Sequence, residues 1–162
     1  MRIYHFGNFY MSSIQQGIQS AHAQTEMALK YLNNFDGIDE QVRLYKDWAV
    51  NYKTMICLNG GMNSSLCNIK DTFDDITNPY PWISFRESEE AMGGMLTNVA
   101  IVLPEFIYEL ASDIKIKKLI LHKSPIKGKY HIKIYDNSPS VGTITEFQYK
   151  LINILISCDL AK

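Results

Sequence analysis

The first apolar run of the chain, RIYHF at residues 2 to 6, has the character of a short β-strand and is ended by Gly7 and Asn8. The period then changes. Ser12 or Ser13 can offer a hydroxyl oxygen to the free N–H groups of a first helical turn. Beyond them Ile14, Ile18, Ala21, Thr25, Leu29 and Leu32 share one face at about 100° per residue. This predicts a helix to about Leu32, stopped by NNFDG and packed on a sheet through that stripe. Gln15, Gln19, His22 and Glu26 fall about a quarter turn away, a border that stays accessible while the buried face beside it holds it in place.

Further along, DEQVRLYKDWAVN predicts a shorter helix and KTMICLNGG a strand entering a Gly-Gly turn. SSLCNIKDTFDDI spaces Leu66, Ile69, Phe73 and Ile76 as a helix would. PWISFRE and LTNVAIVLP read as strands joined by the acidic turn SEEAMGG, and EFIYELA as a helix after Pro104. KKLILHK and YHIKIYD flank SPIKGK as a hairpin, with Tyr130, Ile132 and Ile134 on one side and His131 and Lys133 on the other. TITEFQYKLINILISCDLA predicts a final helix capped by Thr143 or Thr145. Its face of Ile144, Phe147, Leu151, Ile154, Leu155 and Cys158 either completes a core or forms a homo-oligomer interface. Strands alternating with helices predict an α/β fold, a three-layer sandwich on a mixed sheet. One domain is expected over residues 1–162, with a core over 1–112 and a hairpin-and-helix extension over 113–162.

Composition supports a packed core: 46% of residues are hydrophobic and 12% aromatic. Net charge is only -1, which excludes a general polyanion binder, but the balance is local. Residues 1 to 112 hold 13 acids and 7 bases, whereas residues 113 to 133 hold seven lysines against Asp113 alone. That basic island can meet phosphates or can keep an edge strand from aggregating. Cys57, Cys67 and Cys158 lack metal-ligand spacing, so no metal site and no cofactor is expected, and their odd number favours a reduced, cytoplasmic setting. Neither a leader-type N-terminus nor a membrane-length apolar run occurs, so a soluble chain without a membrane partner is expected.

The order of elements and two motifs resemble the type 2 peptidyl-tRNA hydrolases and their phage and bacterial relatives. In that family the first strand leads to D-L-x-M-x-x-G-K-x-x-x-Q-x-x-H-A. Here NFYMSSIQQGIQSAHA keeps Met11, Gln19, His22 and Ala23 in register. A later T-x-x-A-I-x-x-P strand is matched by Thr97, Ala100, Ile101 and Pro104 in LTNVAIVLP. The resemblance covers roughly residues 1 to 112. It implies the family's α/β sandwich, a tRNA 3′ end as partner, and an esterase site at Gln19, Glu87 and Thr97.

The departures shape the functional expectation. The family's catalytic lysine falls on Gln15 and the preceding glycine on Ile14. The acidic residue about twelve positions before the threonine is replaced by Phe85, with Glu87 the nearest substitute. An ammonium stabilises the oxyanion formed when a peptidyl ester is cleaved; an amide offers only neutral dipoles. Loss of such a group costs on the order of 10² to 10³ in rate. Amides can still read a base edge or ribose hydroxyl through paired donors and acceptors. The expected ligand contacts are therefore Gln15, Gln19, His22, Arg86, Glu87 and Thr97, around a nucleotide-like small molecule. For a phage-borne relative, sequestering a host nucleotide signal would be such a role, although nothing in these residues identifies the signal. An active hydrolase and an interaction protein with a vestigial pocket are the alternatives. Each contact also has a plain structural reading: Gln19 and His22 as solvated border groups, Arg86 with Glu87 as a strand-end ion pair, Thr97 as a β-former. Tyr80, Trp82 and Phe85 can stack on a base or pack a loop onto the core, and Gly93 and Gly94 can admit a phosphate or simply turn the chain.

Overall fold

A computed structural model of the chain describes residues 1–33 and 39–161. These divide into two compact units, Met1–Leu103 with Cys158–Lys162 and Pro104–Ser157. The first unit runs β1 (Arg2–Gly7), α1 (Ser13–Leu32), α2 (Glu40–Asp47), a π-helical turn (Trp48–Tyr52), β2 (Met55–Asn59), α3 (Asn63–Phe73), β3 (Trp82–Arg86), α4 (Glu89–Met92) and β4 (Leu96–Leu103). Its four strands form one mixed sheet in the order β2-β1-β4-β3. β1 is parallel to β2, Ile3 pairing with Met55, and antiparallel to β4, Arg2 pairing with Leu103. β4 is central and buried along its whole length, which suits its nearly continuous apolar sequence. The C-terminal tail returns to β2, where Leu160 bridges Leu58 and the Ala161 N–H donates to the Cys57 carbonyl.

Alternation along β1 sends Ile3 and His5 to one face and Tyr4 and Phe6 to the other. On the first face Ile3, Ala100 and Val102 pack with Met27 and Tyr31 of α1, Val42 and Tyr45 of α2, and Trp48. On the second, Phe6 meets Phe73 of α3 edge to face at 5.7 Å. Helices therefore cover both faces, and this unit is a three-layer α/β arrangement. α3 buries Leu66, Ile69 and Phe73 as the spacing predicts. Ile76, expected on the same face, lies beyond the end of the helix and is 99% exposed. α2 and the two flanking strands fall where the pattern predicts them, and the acidic turn carries the short helix α4, capped by Ser88 and ended by Gly93 at φ 59°.

α1 differs from expectation in its orientation. Ser12 caps it, and the Gln15 side chain completes a reciprocal capping box. The helix ends at Leu32 with Asn33 as C-cap; the rest of the NNFDG signal lies outside the described residues. Its buried residues, however, are Gln16, Gln19, Ser20, Ala23, Met27 and Tyr31, while Ile14, Ile18, Leu29 and Leu32 are exposed. The physical reason lies in the sheet beneath. At the N-terminal half of α1 the sheet presents His5, Asn98 and Thr97, and burying those groups requires hydrogen-bonding partners that an isoleucine cannot supply.

The second unit comprises α5 (Glu105–Lys115), β5 (Ile120–Lys123), β6 (Lys129–Lys133), β7 (Gly142–Thr145) and α6 (Glu146–Ser157). The predicted hairpin is present as β5 and β6, and β7 adds a third antiparallel strand. Thr143, Ile144 and Thr145, expected at the start of the final helix, instead extend the sheet with their β-branched side chains, and of the two candidate caps Thr145 caps α6 by accepting from the Gln148 N–H at 3.1 Å. Tyr130 stacks on Tyr149, ring centroids 3.8 Å apart and ring planes nearly parallel. Phe147, Leu151, Ile152 and Leu155 of α6 are buried, and α6 packs on α5, β6 and β7. The apolar face expected to offer a homo-oligomer interface is thus occupied within this unit. Ile134, expected on the inner side of the hairpin, lies past β6 and is exposed. No described helix is long and apolar enough to cross a membrane.

Candidate functional site

The sequence nominates Gln19, His22, Glu87 and Thr97 from α1, the end of β3 and the start of β4, and the fold brings these four together. Gln19 is the centre. Its Nε2 donates to Glu87 Oε1 at 2.6 Å, and its Oε1 accepts from the Thr97 hydroxyl at 2.8 Å. The amide is thereby fixed in one orientation, with an anionic acceptor on one side and a hydroxyl donor on the other. His22, one turn on, sets Nδ1 3.9 Å from the same Glu87 oxygen and leans edge to face on Phe85, ring centroids 5.0 Å apart. The His22 side chain is 48% exposed and that of Glu87 19%, so the cluster opens to solvent at the imidazole.

A strand irregularity makes this possible. Phe85 pairs with Asn98 and Arg86 with Leu96, which leaves Thr97 as an extra residue opposite the step from Phe85 to Arg86. Such a bulge re-aims a side chain that strict alternation would send to the opposite face. Consequently Thr97 and Asn98 both reach α1, Thr97 through Gln19 and Asn98 by donating to Ser20 Oγ at 3.2 Å. Glu87 is placed by the same hairpin, its N–H donating to the Met95 carbonyl.

Two nominated residues are engaged elsewhere. Gln15 Oε1 accepts from the N–H and the hydroxyl of Ser12, so its side chain serves the helix cap. Arg86 directs Nη1 to the Gly94 carbonyl at 3.1 Å, in an exposed contact that braces the turn. Gly94 stands at φ 67°, and a Cβ there would lie 2.7 Å from Glu89 Oε1; the Gly-Gly pair serves the turn itself. Of the aromatic candidates, Tyr80 is buried, Trp82 packs edge to face on Phe73, and Phe85 alone adjoins the cluster.

Residues that sequence reasoning passed over form the floor beneath. Asn8 is buried; its N–H donates to the Thr97 carbonyl and its Nδ2 to the Leu96 carbonyl, tying the β1–α1 loop to β4. Gln16 Nε2 donates to the Met11 carbonyl at 3.1 Å, and a Cβ at Gly7 would lie 2.9 Å from Gln16 Oε1, so a larger residue there would have to push the Gln16 amide aside. His5 Nδ1 donates to Asn98 Oδ1 at 3.0 Å, while its Nε2 has no partner among the described residues. Burial pushes the His5 pKa down to about 4 against the opposing pull of Asn98, which keeps the ring neutral. The signal for this layer was present: Thr97 and Asn98 are adjacent polar residues opening an otherwise apolar strand.

The cluster thus offers an amide, a hydroxyl, an imidazole and a carboxylate, with no lysine or arginine side chain bonded to it among the described residues. No group of three or more His, Cys, Asp or Glu among the described residues is arranged to hold a metal ion. In comparisons with models of known protein families and with curated proteins, the chain matches none.

Proposed function

We propose that the first unit is a binding module for a nucleotide-like ligand, held at its ribose hydroxyls by Glu87 and His22, with the buried Gln19 and Thr97 positioning the carboxylate from beneath, and without efficient ester hydrolysis. The carrying observation is the Thr97–Gln19–Glu87 hydrogen-bond chain, drawn from three elements and bordered by an accessible histidine. A carboxylate accepts readily from paired hydroxyls, and His22 can donate to or accept from the same group. With no lysine or arginine among the described residues bonded to the cluster, gripping a phosphate at this point is disfavoured, so recognition falls on the sugar of a small nucleotide or of a tRNA 3′ end. With Gln15 committed to the helix cap, no ammonium stands ready for a developing oxyanion. This is the non-catalytic version of the peptidyl-tRNA hydrolase likeness carried by Met11, Gln19, His22 and Thr97.

The second reading is an active hydrolase, favoured by the placement of His22 beside Glu87, where a carboxylate can orient an imidazole that activates water. Thermal unfolding with adenosine, AMP and deoxyadenosine, run beside a peptidyl-tRNA cleavage assay, separates the two. Binding predicts stabilisation of about 2.7 kcal/mol at a hundredfold excess over Kd, a weaker effect for deoxyadenosine, loss of both in Glu87→Gln and Gln19→Ala, and negligible turnover. Turnover abolished by His22→Ala supports the enzyme. Absence of both stabilisation and turnover rejects both readings.

A further inference from the structure

The outward face of α1 has a pattern of its own. Ile14, Ile18, Ala21, Thr25, Ala28 and Leu32 follow at steps of four, three, four, three and four residues. This alternation averages 3.5 residues per turn, the repeat along which one helix packs lengthwise on another. Ile14 is 77% exposed, Ile18 48% and Leu32 43%, Ala21 and Thr25 are also exposed, and Leu29 borders the row; Ala28 stands at its edge, half-buried where it also packs on the apolar cluster beneath the helix. Exposed aliphatic side chains in a continuous row mark a surface that is covered in use.

We propose that this face docks on the same face of a second copy of the chain, with the two α1 helices antiparallel. The sizes along the row are what a two-fold axis requires. With the axis at the level midway between Ala21 and Thr25, Ile14 meets Leu32 of the second copy, Ile18 meets Ala28, and Ala21 meets Thr25. Small side chains then lie where the helices approach closest, and large ones fill the space towards both ends. The row spans about 27 Å of helix and contains no charged residue, so two copies meet without like-charge repulsion.

The flanks select the antiparallel arrangement. His22 and Glu26 lie on one side of the row, Gly17 and Gln24 on the other. An antiparallel two-fold sets like flank against like, and Glu26 of each copy then falls within about 3 Å along the axis of His22 of the other. A parallel pair would place His22 and Glu26 against Gly17 and Gln24 and lose both contacts. The pairing is closed and isologous, the commonest form of assembly. One helix pair falls below the roughly 800 Å² per partner of a standard interface, so weak association is expected. Of the Gln19 cluster, only His22 takes part in this pairing, at its flank.

Sedimentation equilibrium of the full chain from about 1 μM to about 1 mM, the range of weak association, tests it. The mass of the wild type should rise from 18.6 kDa towards twice that value. Ile18→Glu and Ala21→Glu should hold the mass at that of one chain with an unchanged far-ultraviolet circular dichroism spectrum. Thr25→Arg added to Ala21→Glu should restore the dimer, because the two positions face each other across the axis. Ile76→Glu, at an exposed residue outside α1, should dimerise like the wild type. A wild type that stays monomeric over the whole range overturns the proposal, as does a dimer that Ile18→Glu and Ala21→Glu leave intact.

Discussion

The two halves of α1 rest on the same sheet in different ways. Under the C-terminal half, Met27 and Tyr31 join Ile3, Val42, Tyr45, Trp48, Ala100 and Val102 in a cluster of buried apolar residues, with Tyr31 and Tyr45 5.5 Å apart. Under the N-terminal half, Gln19 bonds Thr97, Ser20 bonds Asn98, Asn98 bonds His5 and Gln16 bonds the Met11 carbonyl, while His5 Nε2 has no partner among the described residues. The apolar half tolerates small shifts and gains stability from area. In the polar half each group must stand where its partner needs it. One helix therefore fastens itself at one end and presents chemistry at the other, and ligand-binding groups sit on a framework whose stability is generated a few turns away.

The largest expected effect comes from breaking the fastening. Met27 is fully buried in the apolar cluster. Met27→Ala should lower unfolding free energy by about 2–5 kcal/mol through lost transfer energy and the cavity left behind. Urea denaturation should show it as a reduced midpoint with a similar slope. The hydrogen-bonded cluster around Gln19 should survive in the folded fraction, so any ligand-induced stabilisation should keep its size. A cost below 1 kcal/mol would mean that the apolar half is not the anchor.

The next effect concerns the polar half and acid. His5 titrates near 4 when folded and near its ordinary 6.5 when unfolded. Between those values the unfolded chain binds the extra proton, so stability falls as pH is lowered from about 6.5 to about 4 and is unaffected by this group above 6.5. The full loss is on the order of 3 kcal/mol, at about 1.4 kcal/mol per pH unit. Denaturation midpoints for wild type and His5→Gln over that range check it: the substitution should flatten the curve above pH 5, before most carboxylates protonate. Parallel curves would show that the ring is protonated in the folded protein.

The same contrast explains what could be read from the sequence. Element order in the first unit follows from short-range signals: Ser12 before a helical period, strand-length apolar runs, and Gly93 and Gly94 at a turn. The grouping of Gln19, His22, Glu87 and Thr97 followed from motif resemblance and is present in the fold. Periodicity misjudged the face of α1 because it ranks faces by apolarity, whereas the sheet's own His5 and Asn98 decide which face they will accept. The bulge that turns Thr97 towards Gln19 depends on pairing between β3 and β4, and no local pattern encodes that register. β7 is not legible because its one large apolar residue, Ile144, falls in step with the apolar face of the helix that follows.

The smallest expected effect isolates Gln15, which belongs to neither half. Its side-chain oxygen accepts from Ser12 N at 3.0 Å and from Ser12 Oγ at 3.1 Å, and the Gln15 N–H donates back to Ser12 Oγ at 3.3 Å. Only the first two contacts need the side chain, because the third is made by the backbone. Gln15→Ala should therefore cost less than a full loss of the Ser12 cap, about 0.5 kcal/mol, against about 1 kcal/mol for Ser12→Ala. Gln15→Lys should behave like Gln15→Ala in stability, since an ammonium cannot accept from Ser12. If Gln15 serves only the cap, stabilisation by adenosine should be the same in all three variants once each is compared with its own ligand-free melt. A selective loss of that stabilisation in Gln15→Ala, with Ser12→Ala normal, would place the amide in contact with ligand and extend the site one turn towards the start of the helix.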